Sequence, residues 1–219
     1  TGGGVANLVV QYEYTPTSGQ LDGYSYGGRA QGWLGEHLRF GATAMREQTG
    51  TADQDLLGAD IILRHSEKTF LKAEIAQSSG PGFGRTTSID GGLTFDDVSS
   101  VGDRSRTARA YTLEGQIDLA DVTKGRANGL LGAYYEKKEA GFSTLDEDIS
   151  VDQTGWGLNA RFDPTEYLSL TARYDDFNDA AGKEKREVAA EISYEINEYW
   201  KATLGVKHVG LATPRGKPK

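Results

Sequence analysis

The residues of this chain best able to carry chemistry are its charged side chains, and they recur at every second position. Glu13, Arg29, Arg39, Asp60, Arg64, Lys72, Glu74, Glu114, Asp118, Arg161, Arg173, Glu191, Glu195, Lys201 and Lys207 each alternate with apolar neighbours. Gathered on one face of a sheet, such a set could line a wet interior and give it an ion or solute preference through mixed rings of charge. The plainer reading is that these groups pair across strands and satisfy one another. Other constellations are poorer. The stretch Asp146-Glu147-Asp148-Ile149-Ser150-Val151-Asp152 offers carboxylates to Ca²⁺ but lacks the glycine and closing glutamate of an EF-hand loop, so a solvated acidic loop is expected. Gly80-Pro81-Gly82-Phe83-Gly84 has no phosphate-binding spacing and reads as loop punctuation. His37, His65 and His208 fall near three separate strand ends, form no ligand cluster, and suit structural or interfacial roles. With no cysteine there is no disulfide framework, thiolate metal site or cysteine nucleophile. No Ser-His-Asp order or close carboxylate pair stands out, so neither catalysis nor a cofactor is expected.

The elements that would position these residues are strands. In the hairpin from Val188 to His208, Val188, Ala190, Ile192, Tyr194 and Ile196 point one way, and Ala189, Glu191, Ser193 and Glu195 the other. Across an Asn197-Glu198 turn the return arm repeats this, with Trp200, Ala202, Leu204 and Val206 on the apolar side. Strict alternation over this length is a strand signal. The same pattern marks Asn7 to Tyr14, Tyr24 to Leu34, Leu38 to Arg46, Leu56 to His65, Phe70 to Gln77, Ala108 to Leu119, Gly129 to Lys137, Gly155 to Phe162 and Tyr167 to Tyr174. Ser79 to Arg106 is irregular, with one weak strand inside it. Polar loops are expected over Glu47 to Asp55, Glu139 to Gln153 and Asp175 to Lys185, and short turns at the opposite strand ends.

Arms of about ten residues have the length of tilted membrane-crossing strands, and short turns at one end with long loops at the other fit an outer-membrane barrel. The expected fold is therefore all-β: an antiparallel up-and-down transmembrane β-barrel with about 11–12 strands in this chain. Tyr12, Tyr14, Tyr24, Tyr26, Phe162, Tyr167, Tyr174, Tyr199 and Trp200 would then form aromatic girdles at the membrane interface. The chain has 219 residues, 29 of them glycine and 11 tyrosine, and its mean hydropathy is negative. One large β domain over 1–219 accommodates that length. A net charge of −8 with both signs interleaved argues against nucleic acid as a partner. Polar Gly210 to Lys219 reads as the start of another loop, which suggests a piece of a longer barrel.

Specific stretches also resemble a known group. Leu8-Val9-Val10-Gln11-Tyr12-Glu13-Tyr14-Thr15-Pro16, Gly27-Gly28-Arg29-Ala30, Leu57-Gly58-Ala59-Asp60-Ile61-Ile62-Leu63-Arg64 and Ser88-Ile89-Asp90-Gly91-Gly92-Leu93-Thr94-Phe95 are similar to the C-terminal barrel of large, repeat-bearing proteobacterial outer-membrane proteins of the OmpA-like or SdrD-B-like kind. The resemblance implies a β-barrel in the outer membrane and a fragment of a larger chain. The leading expectation is an outer-membrane barrel, in contact with outer-membrane lipid, that anchors surface domains and could also pass ions or small solutes as a passive pore. The alternatives are a dedicated diffusion or uptake channel of porin type, and a soluble β protein that binds a ligand.

Overall fold

Alternating large apolar and charged residues give a strand two chemically different faces, and strands paired in register join those faces side by side. The computed structural model of the protein describes residues 24–49, 52–80, 86–87, 96–97, 107–144 and 149–212. Its strands are β1 (Ser25–Leu34), β2 (Leu38–Thr49), β3 (Ala52–Arg64), β4 (Phe70–Ser79), β5 (Thr86–Thr87), β6 (Asp96–Asp97), β7 (Thr107–Asp118), β8 (Asn128–Lys138), β9 (Gln153–Thr165), β10 (Leu168–Asp179), β11 (Glu184–Asn197) and β12 (Trp200–Ala212). Ten of them form one sheet in the order β1-β2-β3-β4-β7-β8-β9-β10-β11-β12, while β5 and β6 pair only with each other. Every ladder is antiparallel.

Register keeps the two faces separate across the sheet. One transverse row reads Leu34, Leu38, Leu63, Leu71, Gly115, Ala133, Leu158, Tyr174, Val188 and His208. The neighbouring row on the other face reads Trp33, Arg39, Ile62, Lys72, Glu114, Tyr134, Gly157, Asp175, Glu187 and Val209. These are the apolar face and the polar face.

The sheet is open, which overturns the expected barrel. Among the described residues β1 pairs only with β2 and β12 only with β11. A barrel requires first and last strands to join at a fixed stagger. The physical reason for the error is that alternation divides faces identically in an open and a closed sheet. An open edge leaves a row of backbone N–H and C=O groups without partners, which a hydrocarbon environment does not tolerate. With closure go the transmembrane assignment, the outer-membrane location, the lipid contact, and the anchor, pore and porin-type roles. No helix among the described residues is long and apolar enough to cross a membrane.

Several strand ends also run further than their polarity suggests. The β2–β3 ladder continues to Thr49 opposite Ala52, and β10–β11 to Asn178 opposite Glu184, so two expected loops are largely strand. Residues 210–212 complete β12 instead of opening a loop. Polar residues at a strand end still supply ladder hydrogen bonds, so side-chain polarity mislocated these boundaries. Between β7 and β8 lies a short helix, α1 (Leu119–Thr123), which the alternation did not announce. The Asp118 side chain caps it by accepting from the Ala120 N–H at 2.9 Å.

The expected acidic loop after β8 turns inward over the polar face. Phe142 and Ile149 are buried there with Ala108, against Leu56, Ala76 and Ala110. The Ser143 N–H donates to Ser78 Oγ at 3.0 Å, and Gln54 Nε2 to the Ser143 carbonyl at 3.4 Å. Alanines at 76, 108 and 110 leave the space that Phe142 and Ile149 fill.

Candidate functional site

A broad trough of about 1080 Å³ lies on the apolar face, where it spans β3 to β11. Its floor is a patch of small residues brought together by register: Gly115 opposite Ala133, and Ala160, Ala172 and Ala190 in a continuous row. Larger side chains rise around it, among them Leu71, Leu131, Leu158 and Val188. At the end nearest the β1–β2 and β3–β4 turns the lining becomes polar, with His37, His65 and Thr69. The His37 ring nitrogen Nδ1 lies 2.8 Å from the Arg64 carbonyl, which fixes the ring at that rim.

That end is held by a compact polar knot. Asp121 of α1 accepts from Ser66 Oγ and from Thr69 Oγ1, each at 2.5 Å, and Thr69 Oγ1 accepts from the Asp118 N–H at 3.0 Å. The hydrogen bonds from Ser66 and Thr69 hold the Asp121 carboxyl below its usual pKa. The helix and the β3–β4 turn are thereby tied into one wall.

The polar face is organised by ion pairs. Asp60, with a side chain only 1% exposed, accepts from Arg29 at 2.5 Å and from Arg39 at 3.1 Å. Burial alone would raise its pKa; the two guanidinium hydrogen bonds and charges outweigh that and hold it low. Gly41 makes the cluster possible, since a Cβ there would run into the Asp60 carboxylate and lie 2.7 Å from an Arg29 nitrogen. Arg64 stacks over the Trp33 ring with 4.1 Å to its centroid. Further along, Tyr134 donates to Asp175 at 2.7 Å, and Arg173 donates to the same carboxylate. Burial and the Asp175 carboxylate push the Tyr134 hydroxyl up to about 12. Gly157 opens the space for this contact: a Cβ there would lie 2.8 Å from Asp175 Oδ1.

The charged residues singled out in the sequence thus share one face; Glu13 lies outside the described residues. Many are paired: Lys72 with Glu74 at 3.2 Å, Asp118 with Lys68 at 3.9 Å, Arg161 with Asp163 at 3.0 Å and Lys207 with Glu187 at 2.7 Å. Arg161, Glu195 and Lys201 meet around a cavity of about 330 Å³ at the turn end. Glu191 accepts from Ser193 Oγ at 3.2 Å, and Glu114 lies in register between Lys72 and Tyr134. Among the described residues these groups line no enclosed lumen.

Among the described residues the aromatic side chains are not gathered into a girdle. Tyr26, Phe162, Tyr174 and Trp200 lie on the apolar face by register, Tyr174 in the middle of β10, where its ring sits 4.9 Å from that of Trp156. Tyr24 precedes β1, Tyr167 and Tyr199 occupy turns, and Tyr12 and Tyr14 lie outside the described residues. Asp146, Glu147 and Asp148 of the stretch considered for Ca²⁺ also lie outside the described residues; among the described residues no group of three or more His, Asp or Glu side chains could hold a metal ion.

The class of protein that fold and site define is an open, ten-stranded antiparallel sheet with an apolar trough on one face and an ion-pair network on the other. Compared with known protein families, curated proteins and solved structures, the chain matches none. The resemblance to repeat-bearing outer-membrane proteins is therefore overturned along with the barrel. Its described stretches, Gly27 to Ala30 and Leu57 to Arg64, are ordinary alternating segments of β1 and β3; Leu8 to Pro16 lies outside the described residues, as does Ser88 to Phe95. The trough had a signal in the sequence: small residues at alternate positions of adjacent arms. It became readable as a site only once the register put those residues side by side.

Proposed function

We propose that this chain is a ligand-binding β protein that takes an elongated, mostly apolar molecule in the trough on its sheet. The observation carrying this reading is the floor of Gly115, Ala133, Ala160, Ala172 and Ala190 set between taller aliphatic side chains. Binding clefts for small molecules run to roughly 300–1,000 Å³ and are lined mainly by apolar groups with a few convergent polar ones. At about 1080 Å³ the trough lies just above that range, which suits a chain-like ligand better than a compact one. Its polar rim at His37, His65 and Thr69 supports an amphipathic molecule, with a single polar group at the turn end and an alkyl or acyl chain over the alanines.

The test is displacement of a fluorescent apolar reporter by long-chain fatty acids and alcohols. Saturable binding is expected, and Ala160→Trp and Ala172→Trp, which raise the floor, are expected to weaken it at least tenfold while leaving the β-sheet circular dichroism unchanged. Equal binding by the filled variants would defeat the reading.

A further inference from the structure

We propose that the free edge of β12 is a self-association surface, on which a second copy of this chain adds its own β12 antiparallel across a two-fold axis. The edge strand is long, 13 residues from Trp200 to Ala212, and among the described residues it pairs on one side only, with β11. It is also strongly apolar where it is most exposed: Leu204 is 74% and Val206 70% accessible. Long exposed edges of this composition are templates for another strand, and proteins that must keep them free usually shorten, kink or charge them. In β12 there is no proline, and one of its two lysines, Lys207, is already tied to Glu187 at 2.7 Å.

The register of such a pair follows from the sequence of the strand. Residues that face each other across a ladder share a face, so partner numbers must sum to an even value or the apolar face is turned over. A pair centred on Val206 uses the whole strand. It sets Trp200 against Ala212, Ala202 against Gly210, Leu204 against His208 and Val206 against itself. On the polar face Lys201 then meets Leu211, Thr203 meets Val209 and Gly205 meets Lys207. Centring on residue 207 would place Lys207 opposite its own copy, and centring on 204 would oppose Lys201 to Lys207; like charges directly opposite are destabilising. Centring on 205 avoids the clash but leaves the strand ends unpaired. The lysines act as register markers more than as guards. Because the contact is isologous it closes at two copies and does not propagate.

The edge of β1 is the weaker template. It is shorter, at 10 residues, and glycine occupies 27, 28 and 32, which gives little side-chain surface for a partner.

The full chain is expected to show a dimer mass by light scattering. Having no cysteine of its own, the protein carries a single-site reporter cleanly. Val206→Cys is expected to oxidise to a covalent dimer, whereas Leu113→Cys, on the apolar face far from the edge, is not. Val206→Lys would place like charges together and give a monomer, as would Val206→Glu, and mixing the two variants is expected to restore a dimer. The proposal is overturned by a wild-type monomer at all concentrations, by a dimer that Val206→Lys leaves intact, or by preferential cross-linking at Leu113→Cys. None of these readouts depends on ligand, so the trough and the edge succeed or fail separately.

Discussion

Asp60 is a carboxylate removed from water and held by two guanidinium groups, Arg39 on the adjacent β2 and Arg29 one strand further away on β1. Breaking such a buried arrangement from one side leaves unpaired charge, at a cost of about 3 kcal/mol. Asp60→Asn is expected to destabilise the sheet by roughly that amount at neutral pH in chemical denaturation. Gly41→Ala should act in the same direction, because its methyl group displaces the Asp60 carboxylate. The folded-state pKa of Asp60 is depressed, so its contribution is complete above the ordinary carboxylate range and is lost as pH falls through the depressed value. Wild type and Asp60→Asn should therefore differ at pH 7 and converge in acid; a gap that persists at low pH would place the cause elsewhere. Tyr134 supplies the opposite case. Its raised pKa means that the neutral phenol is the form bound to Asp175, so the contribution holds below the ordinary value of 10.0 and fades as pH climbs to about 12. In an ultraviolet titration Asp175→Asn should bring this tyrosine back toward the others.

Among the elements, the segment after β8 is the one whose behaviour its composition disguised. Read along the chain it is an acidic loop, and acidity suggested solvent. Two apolar residues, Phe142 and Ile149, decide otherwise, because alanines on β4 and β7 leave a recess that only folding back can fill. Sequence alone shows no link between Phe142 and Ala108, which lie on different elements. The strands were legible because a period of two is local, and their pairing follows once turns are short. Closure was not legible, since it depends on whether β1 and β12 meet, and no residue in either strand encodes that in its alternation. Of the candidate site, the charged residues were visible singly, but the partnership of Arg29 with Asp60 joins positions 31 apart. Phe142→Ala should release the folded-back segment as a unit. Loss of a buried aromatic costs about 3 kcal/mol, close to a hundredfold in local opening. Hydrogen exchange at the Ser143 and Ile149 amides, which donate to Ser78 Oγ and to the Phe142 carbonyl, should accelerate by about that factor. Amides in the β9–β10 ladder should not change.

At the scale of the whole molecule, the described residues contain few buried apolar side chains: Ala108, Phe142 and Ile149. A sheet with one hydrophobic face normally covers it with a second layer, and here Leu71, Leu158 and Val188 stay about half exposed. Cross-strand hydrogen bonds and the ion pairs of the polar face hold the ladder, but the apolar face retains favourable free energy that only an occupant can realise. Ligand binding and folding should therefore be strongly linked. A ligand that binds only the folded state adds RT ln(1 + [L]/Kd), about 2.7 kcal/mol at a hundredfold excess over Kd. For a chain of this length that corresponds to a rise in Tm of roughly 5–10 °C. Thermal denaturation with an increasing concentration of a long-chain fatty acid should show a continuous rise of that size, and short-chain homologues, which cover less of the floor, should give less. Ala160→Trp fills the trough with the protein's own side chain, so its unliganded Tm should move toward that of the liganded wild type while its response to the fatty acid disappears. A filled variant that keeps the full ligand response would mean that the stabilising molecule sits elsewhere on the sheet.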